Sequence, residues 1–427
     1  MIEPHKGCEK MTENLDKSKL INIIDEHKSE LVQFLQELVA IPSDNPPGDC
    51  GRIAEHIYRR LQSQQFQRVS IHNITQGELA KVGMKKAANV VAYEVFDSSE
   101  GPEITLNSHG DVVPPGAGWS VDPYGGQIID GKLYGRGAAV SKSDIATYTF
   151  AALALREVAH HLQGKISLAF TFDEETGGEI GPKWLLDNKM IHPNLAVCPG
   201  FSYSIIHAHN GCLHMEVTIK GKQAHAAEPQ YGTDALESMT EVLLALYQYR
   251  KTLTEKKSKV PGIASPTLVV GKIAGGINTN VVPDECTIRF DRRLIPEEIP
   301  EEVEKELVEI ISEAATKQEG IEVDTKRILL AKSFGPISEN SPLIQAFKNN
   351  WSQVFGGELS IQGSPLYTDA RHFYEAGIPA LLFGAGPRTL LEANGHRADE
   401  HVTIDDLLKA TKIVALSLYD LLRRDEC

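Results

Sequence analysis

Two apolar runs that end in ligand-type side chains limit what this chain can build. Ile104-Thr-Leu-Asn-Ser-His109-Gly-Asp111-Val-Val-Pro114 reads as a buried strand that stops in His-Gly-Asp and is closed by two prolines. Residues 165–172 read as another, and they run directly into Asp173-Glu174-Glu175-Thr-Gly-Gly178. A histidine at a strand mouth with a carboxylate two residues on is a usual way to hold a metal. The imidazole binds the ion, and the acid takes the second N–H and fixes the tautomer. Adjacent glutamates at a strand-to-turn junction point in different directions, so one can bind an ion while the other faces water. Strand carboxyl ends are where open α/β sheets place their chemistry. The bland alternatives are a turn that caps a strand and a solvated acidic turn.

The alternation of apolar strands with helices predicts an α/β domain with a mainly parallel sheet flanked by helices. Helices are expected over 19–40, 50–64, 144–162 and 404–422, with strands over 89–96 and 103–108 and a Gly/Pro-rich loop over 114–137. At 214–220 the texture changes to strict alternation, Met215, Val217 and Ile219 against Glu216, Thr218 and Lys220. A β-α-β-β-α-β run follows, which predicts an inserted ferredoxin-like α+β domain over 208–330, with 1–207 and 331–427 forming the larger catalytic domain. Such a two-layer unit leaves a sheet edge or helix face uncovered, and pairing it across a two-fold axis is a common solution. The insertion is therefore expected to be a dimerisation or lid domain of a homodimer.

At 427 residues the chain is too long for one ordinary core. Its formal net charge of -15, with no dense basic run, argues against nucleic acid and anionic membranes as partners. No run approaches the length of a membrane span. Six cysteines are scattered without a CxxC pair, and residues 1–19 carry no apolar segment of a signal peptide. A cytoplasmic protein acting on a small molecule is expected.

The ordered set of motifs resembles the zinc aminoacylase family of acetylornithine deacetylase, succinyl-diaminopimelate desuccinylase, glutamate carboxypeptidase and related dipeptidases. The resemblance rests on His109-x-Asp111-x-x-Pro114, Trp119, Asp122-Pro123, Gly131-Lys-Leu-Tyr-Gly-Arg-Gly137 and Asp173-Glu-Glu-Thr-Gly177. It continues through Ala-His225, Gly275 to Pro283 with Asn280, Asp291-x-Arg293-x-x-Pro296, and His396 to Glu400. It implies His109, Glu175 and His396 as metal ligands, Asp111 as the group that orients His109, and Glu174 as general base. It also implies His225, from a partner's small domain, at the oxyanion, with Asn280 and Arg293 or Arg371 on the substrate.

Two ligands of the family pattern are absent. Valine stands at Val140, where the family carries an aspartate between two metals, and Val197-Cys198-Pro199 replaces Gly-Glu-Pro. Three readings follow. Asp144, one helical turn past Val140 and about 6 Å further along, supplies the lost carboxylate; or Cys198 binds as a thiolate, against its reading as a small buried cysteine; or the site holds no metal. The first is the expectation: one ion rather than two, zinc before manganese or cobalt, on His109, Asp144, Glu175 and His396. The activity expected is hydrolysis of the C–N bond of an N-acyl amino acid or dipeptide-like compound. A deformylase, a carbamoyl hydrolase or an aromatic deaminase would use the same water chemistry, and a silent ligand-binding or scaffold protein is the alternative of another class.

Overall fold

The structure is a computed structural model that describes residues 4–97 and 101–424, with side chains from residue 11 onward. Two of the six cysteines, the side chain of Cys8 and all of Cys427, lie outside the described residues. The chain divides into two compact units, Met1–His207 with Ile337–Ile361 and Thr368–Cys427, and Ala208–Pro336 with Gln362–Tyr367.

In the first unit the sheet runs Arg68–Asn73, Ala88–Asp97, Gly164–Thr171, Glu103–His109, Leu195–Cys198, Ala380–Leu382, Ser204–His209, Ser360–Ser364. Every residue of Glu103–His109 is buried. That strand pairs in parallel with Gly164–Thr171 and Leu195–Cys198, and the latter pairs in parallel with Ala380–Leu382. Arg68–Asn73 pairs antiparallel with Ala88–Asp97, that strand with Gly164–Thr171, and Ser204–His209 with Ala380–Leu382. The sheet is thus mixed, which corrects the expectation of a mainly parallel one. Apolar composition reports burial on both faces, and strand direction leaves no mark on it. The register that matters is His109 opposite Thr171. It sets the ends of the two apolar runs side by side.

Helices Lys28–Val39, Lys142–Ala154, Pro342–Val354 and Ile404–Leu422 pack on one another around buried Leu31, Phe34, Tyr148, Phe347 and Tyr419. The helix expected over 19–40 is two helices, Pro4–Glu26 and Lys28–Val39, broken at His27. The first is tied to the chain's end by Lys17, 2.7 Å from Asp420. The helix expected over 144–162 ends at Ala154 and continues as a 3₁₀ turn over Leu155–His161.

The segment read as a loop holds a hairpin, Gln127–Ile129 with Lys132–Tyr134, and His401–Thr403 adds a third strand to it. This small sheet clamps the Gly135-Arg136-Gly137 turn to the segment carrying His396. Gly135 N–H donates to the Glu400 carbonyl at 2.9 Å. The Glu400 carboxylate, fully buried, pairs with the equally buried Arg136 and accepts from the N–H groups of Ala139 and Val140 at 3.0 Å each. Removing one member of such a pair leaves an uncompensated buried charge. Glu400→Ala is expected to cost about 3–5 kcal/mol, read as a lowered urea midpoint with an unchanged slope. A loss below about 1 kcal/mol would show that the pair is not the clamp.

The second unit has the order of elements read from the sequence: Gly211–Lys220, Ala235–Thr252, Thr267–Gly275, Glu285–Leu294, Pro300–Ala315, Glu322–Ala331. Its four strands lie in the order third element, fourth, first, sixth, antiparallel throughout. Leu213, Met215, Val217 and Ile219 face the helix side chains Met239, Val242, Leu246, Leu307 and Ile311 in one core. The opposite face of the two central strands is a ladder of polar pairs: Thr218 with Thr287, Glu216 with Arg289, His214 with Asp291.

Candidate metal and proton-transfer site

In the first unit His109 closes its strand with its ring buried. Its Nδ1 lies 3.0 Å from the Asp111 carbonyl and 3.3 Å from Asp111 Oδ1. The fully buried Asp111 carboxylate accepts from Glu174 N at 3.3 Å, Glu175 N at 3.2 Å and Asn45 Nδ2 at 3.0 Å. One carboxylate thus ties the ends of both apolar runs together. Burial alone would lower the His109 imidazole. The hydrogen bond to Asp111 and the charges of Glu174, Asp111 and Glu175 outweigh it and hold it well above its ordinary range.

Glu174 is pushed up to about 8, first by burial and then by Glu175, Asp111 and Asp173, with His109 opposing. Glu175 Oε1 lies 3.4 Å from His396 Nε2, so the late histidine reaches the first site from more than two hundred residues away. His396 is in the left-handed region at φ 61° and is 47% exposed, at the open side.

Asp369 joins this group, and the sequence did not single it out. It is buried and raised well above the carboxylate range by burial and by the charge of Glu174, with His109 and Arg371 opposing. Its only signal was the polar run Tyr367 to His372, and nothing in that spacing says which member faces the site. Asp173 is raised likewise, by burial and then by Asp369 and Asp111.

Asp144 and Val140 do not share a helical face, because the helix begins at Lys142, after Val140. The Asp144 carboxylate accepts on both oxygens: Oδ1 from Ala385 N at 2.8 Å and Oδ2 from the Ser141 hydroxyl at 3.2 Å. It still feels the charge of His109, while burial raises it well above its ordinary value. Cys198 is fully buried, and burial, then Asp369, pushes its thiol up, which disfavours the thiolate a metal needs. Arg371 is buried with its guanidinium on the Gly177 carbonyl and near Glu179 and Glu375, at 3.7 and 3.8 Å. It braces the turn after Glu175. His372 Nε2 lies 3.0 Å from the same carbonyl, on the helix Ala370–Glu375.

These shifts share one sign of linkage. Between pH 4.5 and about 8 the folded chain keeps a proton on Glu174 that the unfolded chain has lost, so stability falls as pH rises through that window. The raised Asp144, Asp173 and Asp369 act in the same direction, and so does His109, whose contribution is lost as pH rises through its raised value. The ion-free protein is expected to melt at falling temperature across this window, less steeply in Glu174→Gln. Calorimetry at fixed ionic strength checks it, and a melting temperature that rises with pH would contradict it.

In the second unit the His225 and Asn280 segments meet: Ala226 N–H donates to the Asn280 carbonyl at 3.0 Å. His225 Nδ1 accepts from Ala227 N at 3.1 Å, which places the ring proton on Nε2. Arg293 Nε donates to Asp291 Oδ1 and Oδ2 at 3.1 and 3.2 Å. One cluster of metal-binding type is present among the described residues with three ligand atoms mutually within 4.8 Å: Cys212, His214 and Asp291. The sequence reading did not see it. Its signal is Cys-x-His on a strand, ordinary by itself and completed only by cross-strand pairing.

Residues 105–420 match the profile of peptidase family M20/M25/M40. A succinyl-diaminopimelate desuccinylase of Rhodospirillum centenum is 30% identical over 394 residues, spanning 90% of this chain and 95% of that protein. An N-formyl-4-amino-5-aminomethyl-2-methylpyrimidine deformylase of Halalkalibacterium halodurans is 26% identical over 428 residues, spanning 94% and 96%. The solved structure of an M20 family metallo-carboxypeptidase, Sso-CP2 from Sulfolobus solfataricus, shares the fold with a TM-score of 0.74 at 19% identity, covering 92% of this chain and all of that one.

Proposed function

We infer a catalytic role for Glu174 from one premise: the chain belongs to peptidase family M20/M25/M40. It is a metal-dependent hydrolase acting on small acylated amino-acid or peptide substrates. The observation that carries the role is a glutamate lifted to about 8 beside an imidazole and a second glutamate. A group poised there takes a proton from water and returns it to the departing nitrogen within one turnover.

The residues of the first unit fit a divalent ion. Glu175 Oε1 and Asp369 Oδ2 are buried without a hydrogen-bond partner, and the surrounding acids are raised, first by burial and then by one another's charge. His109, Glu175 and His396 would hold the ion, with Asp144 and Asp369 the carboxylates near enough to feel His109 and complete the set. Such an ion, zinc before manganese or cobalt, supplies Lewis acidity toward the scissile carbonyl and acidifies water. Asp111 fixes the His109 ring and the backbone at Glu174 and Glu175. His225 offers its Nε2–H to the developing oxyanion, and Asn280 and Arg293 grip the substrate. Arg371 serves by holding the Gly177 turn.

The second unit makes the homodimer that brings a partner's His225 to the site. What supports this is its edge strand Thr267–Gly275 and the loop beyond it, which leave Val269, Ile273 and Ile277 exposed at 54, 54 and 70%. Among the described residues no helix is long and apolar enough to cross a membrane. A cytoplasmic setting fits the buried Cys50, Cys198 and Cys286, which form no disulfide.

The test is a panel of N-acetyl, N-succinyl, N-formyl and dipeptide substrates assayed with zinc, manganese and cobalt. Turnover of one acyl class, abolished by chelator, is the expected result. No turnover of any member by fully loaded protein would overturn the assignment. The N-formyl compounds are included because valine at Val140 and cysteine at Cys198 remove two family ligands.

A further inference from the structure

We propose that Cys212, His214 and Asp291 are a zinc-type site of the second unit, independent of the hydrolytic centre. Cys212 and His214 stand two apart on Gly211–Lys220 and so point to one side of the sheet. Asp291 lies directly across from His214 on the neighbouring strand. His214 Nε2 is 3.1 Å from Cys212 Sγ and 3.0 Å from Asp291 Oδ2, and Sγ is 3.8 Å from that Oδ2. Bond lengths of about 2.0–2.3 Å and tetrahedral angles put ligand atoms about 3.3–3.6 Å apart. Each pair here is within a few tenths of an ångström of that.

The geometry also says what the cluster is not. A cysteine–histidine–aspartate relay needs the thiol on one ring nitrogen and the acid on the other. Here both approach Nε2, as ligands around a common point do. Thiolate and carboxylate carry two negative charges toward a divalent ion, one of them shared with the Arg293 guanidinium. Arg293 Nε donates to both Asp291 oxygens, at 3.1 Å to Oδ1 and 3.2 Å to Oδ2, so an ion on Oδ2 would share that oxygen with the guanidinium. Cys212 is fully buried, whereas the side chains of His214 and Asp291 are 35% and 30% exposed. An ion thus has an entry side, past His214 and Asp291. The thiolate favours zinc or cobalt over magnesium or calcium. The ion would staple two central strands beside Arg293, the residue proposed to grip the substrate.

Cobalt is the probe, because thiolate ligation gives a near-ultraviolet charge-transfer band that nitrogen and oxygen ligands do not. Full-length protein stripped of metal and titrated with Co²⁺ is expected to develop this band. The band should persist in His109→Ala and in Cys198→Ser and vanish in Cys212→Ser. His214→Asn, at a partly exposed position that spares the fold, is expected to weaken cobalt binding by on the order of tenfold or more. Absence of the band in the unaltered protein would overturn the proposal. So would its survival in Cys212→Ser, or its loss in Cys198→Ser, which would place the thiolate in the first unit. None of these readings depends on turnover, so failure of the hydrolytic assignment leaves them intact.

Discussion

Glu174→Gln is expected to lower kcat by roughly 10²- to 10⁴-fold, the span of a positioned proton-transfer group, with bound metal unchanged. Glutamine keeps the side chain's size and a carbonyl oxygen but can neither take nor return a proton. The backbone N–H of residue 174 still donates to Asp111, so the turn between His109 and Glu175 stays in place. Steady-state kinetics and metal analysis on one preparation separate the roles. A fall in kcat at constant metal content marks proton transfer. Loss of the ion together with activity would make Glu174 a ligand and overturn its assignment, and near-normal kcat would remove it from the chemistry altogether. The pH profile adds a second readout, since its limb assigned to Glu174 is absent in the variant.

Withdrawal of the ion is expected to be at least as damaging. Lewis-acid stabilisation is worth several kcal/mol, so chelation should cost roughly 10³-fold or more in kcat/KM, restored by adding zinc, manganese or cobalt. His109→Ala should reproduce the loss without restoration at ordinary metal concentrations. It removes the imidazole held by Asp111 and leaves Glu174, Glu175 and Asp369 facing one another with no cation between them. Activity that survives exhaustive chelation, or a His109→Ala protein with full activity, would end the metal-hydrolase reading of the first unit. The Cys212 cluster gives no cover for either outcome, because its ion is followed separately by the thiolate band.

Much of the first unit's chemistry was legible because it is local. His109, Asp111, Glu174 and Glu175 each end an apolar run, and a run buried on both faces must form an inner strand. The helical-face argument for Asp144 failed for an equally local reason. The helical spacing from Val140 assumes a helix that reaches Val140, and the chain turns until Ser141 instead. Asp369 was passed over, and Glu400 was quoted only as the end of a motif, because their importance is a matter of surroundings. One is an acid brought among other acids, and the other is a carboxylate sealed with Arg136. Arg371 was read as a substrate group from its charge, and its bond to the Gly177 carbonyl became visible only in the fold.

From its residues alone the chain determined most of its strands and helices, the order of elements in the β-α-β-β-α-β segment, and the acids and histidines that end the buried strands. Periodicity and turn residues act over a few positions, so order along the chain carries that information. Only the tertiary structure decided strand direction in the mixed sheet, the turn of Asp144 toward Ala385, the approach of His396 to Glu175 and the meeting of Cys212, His214 and Asp291. Each depends on which distant backbone lies alongside. Register between strands is set by the packing of whole faces, and it has no signature in the sequence near any one of these residues.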